Sequence, residues 1–129
     1  MKIAIICTEK IPVPSIRGGA IQQYIDGVLP YLQERHQITV YCVQDPDLPN
    51  EEVNGNIRYI RVEGKGTHSY IKNVKNRLDD DFDLIHVHNR PLWVNILSEK
   101  LQESCEISLS LHNEMFLPNK ITEMRQESA

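Results

Sequence analysis

The sequence predicts an α/β domain built on a mostly parallel sheet, and three observations predict it. Short runs rich in β-branched residues alternate with stretches of helical spacing. The first of these runs is continuously apolar, as in a strand covered on both faces. The chain has 129 residues, 40% of them apolar, with no break in composition, which fits one domain with a full core. Helices on both faces of such a sheet give three layers, joined by right-handed crossovers.

The elements follow in order. Residues 2–7, KIAIIC, form the first strand. Pro12, Pro14, Gly18 and Gly19 forbid regular structure in the loop after it. From Ala20 to about Glu34, apolar residues recur at Ile21, Tyr24, Ile25, Val28, Leu29 and Leu32, so this is a helix. Pro30 lies within it and is expected to kink or shorten it. QITVYCV, 37–43, is a strand by its β-branched content. DPDLPNEEVNGN reads as a loop punctuated by Pro, Asn and Gly. IRYIRV, 57–62, is a strand, GKGTHS a turn, and 70–78 a helix closed by DDDFD. LIHVH, 84–88, is a strand. PLWVNILSEKLQ is a helix with Pro91 in its first turn, where the missing N–H costs nothing. ISLSL, 107–111, is the last strand, and another helix is expected to begin near Asn119.

Charge and cysteine content exclude several classes. A net charge of −4 argues against a general nucleic-acid or anionic-membrane binder, though a local basic pocket is compatible with it. Cys7, Cys42 and Cys105 form no C-x-x-C pair, as expected of small buried hydrophobes in a reducing compartment. The apolar run after Lys2 is too short for a signal-peptide core or a membrane span, and no later segment is longer. The expected location is cytoplasmic, with no transmembrane segment.

In parallel α/β sheets, ligands bind at the carboxyl ends of the strands, near the switch in strand order. Three unusual loops fall on that rim. The first holds Arg17, Gly18, Gly19 and Ala20 at the mouth of a helix. Free N–H groups and the helix dipole make it a plausible anion cradle, since glycine lets a ligand approach the backbone. It matches neither a Walker loop nor G-x-G-x-x-G, and a plain turn with positive-φ glycines is the competing reading. Arg17 is either an anion partner or a solvated charge.

The second loop follows His86-x-His88. Residues two apart on a strand share a face. A zinc site would need more ligands than these with His112 and a stray cysteine, so one core and one rim histidine is the alternative. His88, Asn89 and Arg90 are the better rim candidates. The third loop is His112-Asn113-Glu114. It is either an imidazole–carboxylate pair able to move protons or a cap for the next segment. The acidic run Asp79, Asp80, Asp81 and Asp83 belongs to the opposite edge and reads as a solvated turn. Trp93 is a core residue or a packing lid over the rim.

Taken together, residues 1–43, FDLIHVHNRPLWV and SLHNEMF resemble the N-terminal half of the family 4 (group 1) retaining glycosyltransferases, including their spore-coat members in bacilli. The resemblance spans essentially the whole chain. It implies a Rossmann-like domain, the acceptor-side half of a GT-B fold, occupying residues 1–129. It implies a nucleotide-sugar donor, a carbohydrate or glycan acceptor, no metal and no other cofactor. By position it places Gly18, Gly19 and Ala20 at the donor diphosphate and acceptor, and His112 near the transferred sugar as the catalytic residue. It also implies donor-diphosphate or acceptor binding for Arg17, His88, Asn89, Arg90, Asn113 and Glu114 on the same rim, with His88, Asn89 and Arg90 on the acceptor side. Such enzymes carry a second, donor-binding domain with an E-x7-E pair, which this sequence lacks; the expected partner is that C-terminal domain, and the chain alone is expected to be inactive. A structural spore-coat protein with a vestigial cleft, or a stand-alone nucleotide-binding module, are the alternatives.

Overall fold

The computed structural model describes residues 1–111. Nine elements follow one another: β1 (Lys2–Ile6), α1 (Ala20–Leu32), β2 (Gln37–Val43), β3 (Glu51–Asn54), β4 (Ile57–Val62), α2 (Thr67–Arg77), β5 (Leu84–His88), α3 (Trp93–Ser98) and β6 (Glu106–Ser110). The six strands form one sheet in the order β3-β4-β2-β1-β5-β6. Only the β3–β4 pair is antiparallel.

The continuous apolar run in β1 has its cause in this sheet. Ala4 and Ile6 face a core with α2 and α3, through Tyr70, Val74, Trp93 and Leu97. Ile3, Ile5 and Cys7 face a second core with Ile25 and Leu29 of α1. A strand buried on both sides has no place for polar alternation. The three predicted layers are therefore present, with β1 at their centre.

Four predicted boundaries need correction. The loop read over 45–56 contains β3. Its sequence, Glu-Glu-Val-Asn, has no apolar face to reveal it, because an edge strand keeps charge and exposure. Gly55 opens the two-residue turn from β3 to β4 with φ 62°, a sign that suits glycine. Helix α2 starts at Thr67, within the stretch read as a turn, since its polar first turn has no apolar period. Helix α3 spans six residues, not twelve. The chain around it tightens into i→i+3 turns, with Trp93 N–H on Arg90 O and Leu101 N–H on Ser98 O. Helix α1 runs through Pro30 and ends at Leu32, two residues before the expected end. The helix expected near Asn119 lies outside the described residues.

Lys2 at the start of β1 bonds Asp79 and Asp81, which puts the acidic run at the amino edge of the sheet as expected. No described helix is long and apolar enough to cross a membrane. Cys7 and Cys42 are buried free thiols, and Cys105 is half-buried.

Candidate functional site

The strand order reverses between β1 and β5. From β1 the chain builds outward through β2 and β4, then α2 carries it back to β5 on the other side. Crossovers diverge there, and the carboxyl ends of the two strands leave a crevice. The structure has a cleft of about 360 Å³ at this point. Thr8, Lys10 and Ile11 line it from the loop after β1, Ala20, Ile21 and Gln22 from α1, and Asn89 and Arg90 from the loop after β5.

The loop after β1 is held by buried polar contacts. Arg61 of β4 is buried and donates to Val13 O from Nε (3.2 Å) and Nη2 (3.0 Å). Its Nη1 donates to Pro49 O (2.8 Å) and reaches Glu52 Oε1 (2.9 Å). Ser15 donates from both N–H (2.8 Å) and Oγ (2.6 Å) to Asp26 of α1. At the strand end, the Tyr70 hydroxyl donates to Cys7 O (2.7 Å). Burial holds that phenol in its neutral, donating form by raising its pKa.

Gly18 and Gly19 both have positive φ, 82° and 92°. The two are not equivalent. A Cβ at Gly18 would meet nothing within 4 Å, so backbone conformation alone selects glycine there. A Cβ at Gly19 would stand 2.3 Å from Gln22 Oε1 and 2.6 Å from Ile11 Cδ1, so the ends of both side chains would have to shift on top of the conformational strain. The Gly18 N–H is occupied by Ser15 O (3.0 Å), whereas the first-turn amides of α1 have no partner within the helix, and Ala20, Ile21 and Gln22 line the cleft.

The arginines are already engaged. Arg17 is paired in a fork to Asp45 (Nε–Oδ2 3.0 Å, Nη2–Oδ1 3.0 Å) and also contacts Asp47. It is an exposed charge paired away from the cleft lining, and it ties the loop after β1 to the loop after β2. Arg90 forms a fork with Glu9 (2.7 and 3.2 Å), bonds Asn89 O (2.9 Å) and lies over the Trp93 ring at 5.7 Å. Burial pushes the Glu9 carboxyl up, but Arg90 and the hydrogen bonds around it outweigh this and hold it below its ordinary value. Among the cations lining the cleft, this leaves Lys10 as the one with no carboxylate partner among the described residues.

Asn89 closes β5 with φ 57°, a left-handed conformation that asparagine tolerates, and its N–H donates to Ser110 O (2.7 Å). That bend directs Arg90 into the cleft. His88 is buried instead on the α1 side of the sheet. It stacks edgewise on His86 (4.6 Å) and Tyr24 (6.3 Å) and lines a separate apolar groove with Ile5 and Val28. His86 bonds the hydroxyls of Ser108 and Ser110 (2.7 Å to the latter). The described residues contain no group of three or more potential metal ligands. Trp93 is buried against Tyr70, so the packing reading of this residue holds.

Of the expected site residues, Ala20, Asn89 and Arg90 meet at the cleft and Gly19 adjoins it. Gly18 supplies the turn. Arg17 and His88 face elsewhere. His112, Asn113 and Glu114 lie outside the described residues. Sequence reasoning missed Thr8, Lys10 and Gln22. The available signal was positional: Gln22 stands three residues after Gly19, one helical turn below the glycine's bare face.

Comparison with known proteins fits this geometry. The chain is 47% identical over 123 residues to the protein named "Putative glycosyltransferase YtcC" of Bacillus subtilis, covering 95% of this chain and 29% of that one. It is 42% identical over 128 residues to the protein named "Spore coat protein SA" of the same organism, covering 98% of this chain and 33% of that one. It thus spans about a third of the length of the curated relatives it matches. No protein-family model matches the chain. Among solved structures, sucrose-phosphate synthase of Thermosynechococcus elongatus superposes with a TM-score of 0.63 at 15% identity, over 87% of this chain and 33% of that one. The α,α-trehalose 6-phosphate synthase of Burkholderia multivorans does so with a TM-score of 0.51 at 16% identity, over 98% and 36%. These two likenesses bear on the fold alone.

Proposed function

We propose that this chain, a homologue of those two Bacillus subtilis proteins with a fold found in GT-B glycosyltransferases, is the acceptor-side domain of a glycosyltransferase that uses a nucleotide-sugar donor. The observation that carries the reading is 47% identity to a protein named as a glycosyltransferase, over 95% of this chain. The geometry supports it with an open cleft at the switch in strand order.

Each feature of the cleft has a use in glycosyl transfer. Charge builds on the leaving diphosphate, and fixed N–H donors and cations stabilise it. The first-turn amides of α1 and Lys10 are such groups. Arg90, restrained by Glu9 and Trp93, is a positioned donor and not a free charge. The cleft is open to solvent on its far side, and a second domain closing over it would exclude the water that hydrolyses donors. Residues 1–129 are on this reading one wall of a two-domain site, with His112, Asn113 and Glu114 contributing from the segment after β6 and His112 as catalytic residue. No metal or further cofactor enters the proposed chemistry.

The test uses the full-length protein with a panel of UDP-, GDP- and ADP-sugars, following donor consumption. Turnover of at least one donor is expected, and Gly19→Asp should abolish it while the fold survives. No turnover with any donor, or a fully active Gly19→Asp, refutes the reading. The 42% identity to a protein named as a spore coat component favours a second reading, a coat protein with a vestigial cleft and spore-coat association. Recovery of the protein in purified coats together with donor-independent assembly would select it.

A further inference from the structure

The residue behind Gly19 points to what the cleft reads. Gln22 is only 3% exposed, yet it lines the cleft. Its Nε2 donates to Ile11 O (3.3 Å), which fixes the amide orientation. Its Oε1 accepts no hydrogen bond from the described residues. No fully buried side-chain oxygen among them lacks a partner, so Oε1 is not sealed off. It stands against the bare α-carbon of Gly19, where any Cβ would come within 2.3 Å. Glycine at 19 therefore lets a fixed, unfilled hydrogen-bond acceptor pack against its bare backbone at the edge of the cleft.

We propose that Gln22 Oε1 is a specificity element that accepts a hydrogen bond from one hydroxyl of the carbohydrate acceptor seated in the cleft. A carbonyl-type oxygen recognises a donor, and a diphosphate has none to give at neutral pH. The group that fits is a hydroxyl. Thr8 O–H and the Lys10 ammonium beside it supply donors for the oxygens of the same ligand. The demand for glycine at 19 then has a cause distinct from the approach of phosphate to the backbone.

The inference rests on the acceptor-side reading above, and its test separates the two. The full-length protein is titrated with the methyl α-glycosides of glucose, mannose, galactose and N-acetylglucosamine, and then with the monodeoxy analogues of whichever binds. Binding is read by saturation-transfer NMR and needs no turnover. One deoxy position should cost the wild type about tenfold in affinity, the worth of a hydrogen bond whose loss leaves a partner unpaired. Gln22→Met keeps the shape and should remove that penalty. Should Gln22→Met fail to fold, Gly19→Ala, whose methyl would displace the same oxygen, should remove the penalty likewise. Failure of all four glycosides to bind the wild type overturns the inference, as does an unchanged penalty in Gln22→Met or, in its place, Gly19→Ala. Glycoside binding without consumption of any donor would leave this inference standing and refute the transferase reading; the reverse pattern would do the opposite.

Discussion

Replacing Arg61 with methionine isolates what anchors the site loop. The Arg61 side chain is fully buried, with two bonds to Val13 O, one to Pro49 O and an ion pair to Glu52, which is 41% exposed. Methionine restores most of the volume but leaves two carbonyl oxygens without their charged donor. Each such group costs about 1–3 kcal/mol, so about 2–6 kcal/mol is expected. Total stability of a domain is on the order of 5–15 kcal/mol, so the loss is large. Each kcal/mol moves Tm by roughly 3–5 °C at this size, which places the drop at about 6–30 °C. Glu52→Gln removes only the half-exposed ion pair and should cost under about 1 kcal/mol. Thermal and urea unfolding of wild type and both variants, with matched m-values, give the comparison. An Arg61→Met protein melting within a few degrees of wild type would refute the reasoning. So would a Glu52→Gln variant as unstable as Arg61→Met, because the charge pair would then outweigh the carbonyls.

Three further outcomes follow from the same contacts. The Glu9 carboxyl is held below its unfolded value, so the pair with Arg90 contributes stability that is whole above the unfolded pKa and lost as pH falls through the folded one. The gap in urea midpoint between wild type and Glu9→Gln should therefore be widest near neutral pH and close in acid; a gap that widens in acid contradicts it. Gly18→Ala should cost about 1 kcal/mol of backbone strain, and Gly19→Ala clearly more, since only the second methyl meets Gln22 and Ile11. Chemical denaturation of both ranks them, and equal losses would count against the distinction. Tyr70→Phe removes the hydroxyl on Cys7 O and should cost about 1–3 kcal/mol, read as a fall in urea midpoint at unchanged m.

The central strands were legible because burial on both faces writes an unbroken apolar run, as in KIAII and QITVYCV. Strand β3 was not, because an exposed edge leaves no such mark. The rim was legible in outline, since strand–helix alternation fixes which loops share an edge. Its electrostatics were not. Arg17 and Asp45 are 28 positions apart, and nothing local in IRGG announces the pairing. Arg58 and Arg61 share one short strand, yet one is half-exposed and the other fully buried. Gln22 reads as one more polar residue of an amphipathic helix until the loop folds over it.

The buried thiols give the molecule an internal reporter of its own motions. Cys7 caps β1 directly beneath the cleft, and Cys42 lies beside the Val13 carbonyl that Arg61 holds. Burial raises both thiol pKa values, so neither is reactive while the loop is seated. Alkylation at these sulfurs must wait for the protein to open, whereas the half-buried Cys105 does not depend on that loop. The rate at which Cys42 is labelled, set against that of Cys105, is thus a clock for release of the segment that carries Lys10 and the two glycines. It needs no introduced residue, only an alkylating reagent, and a ligand that seats the segment should slow it.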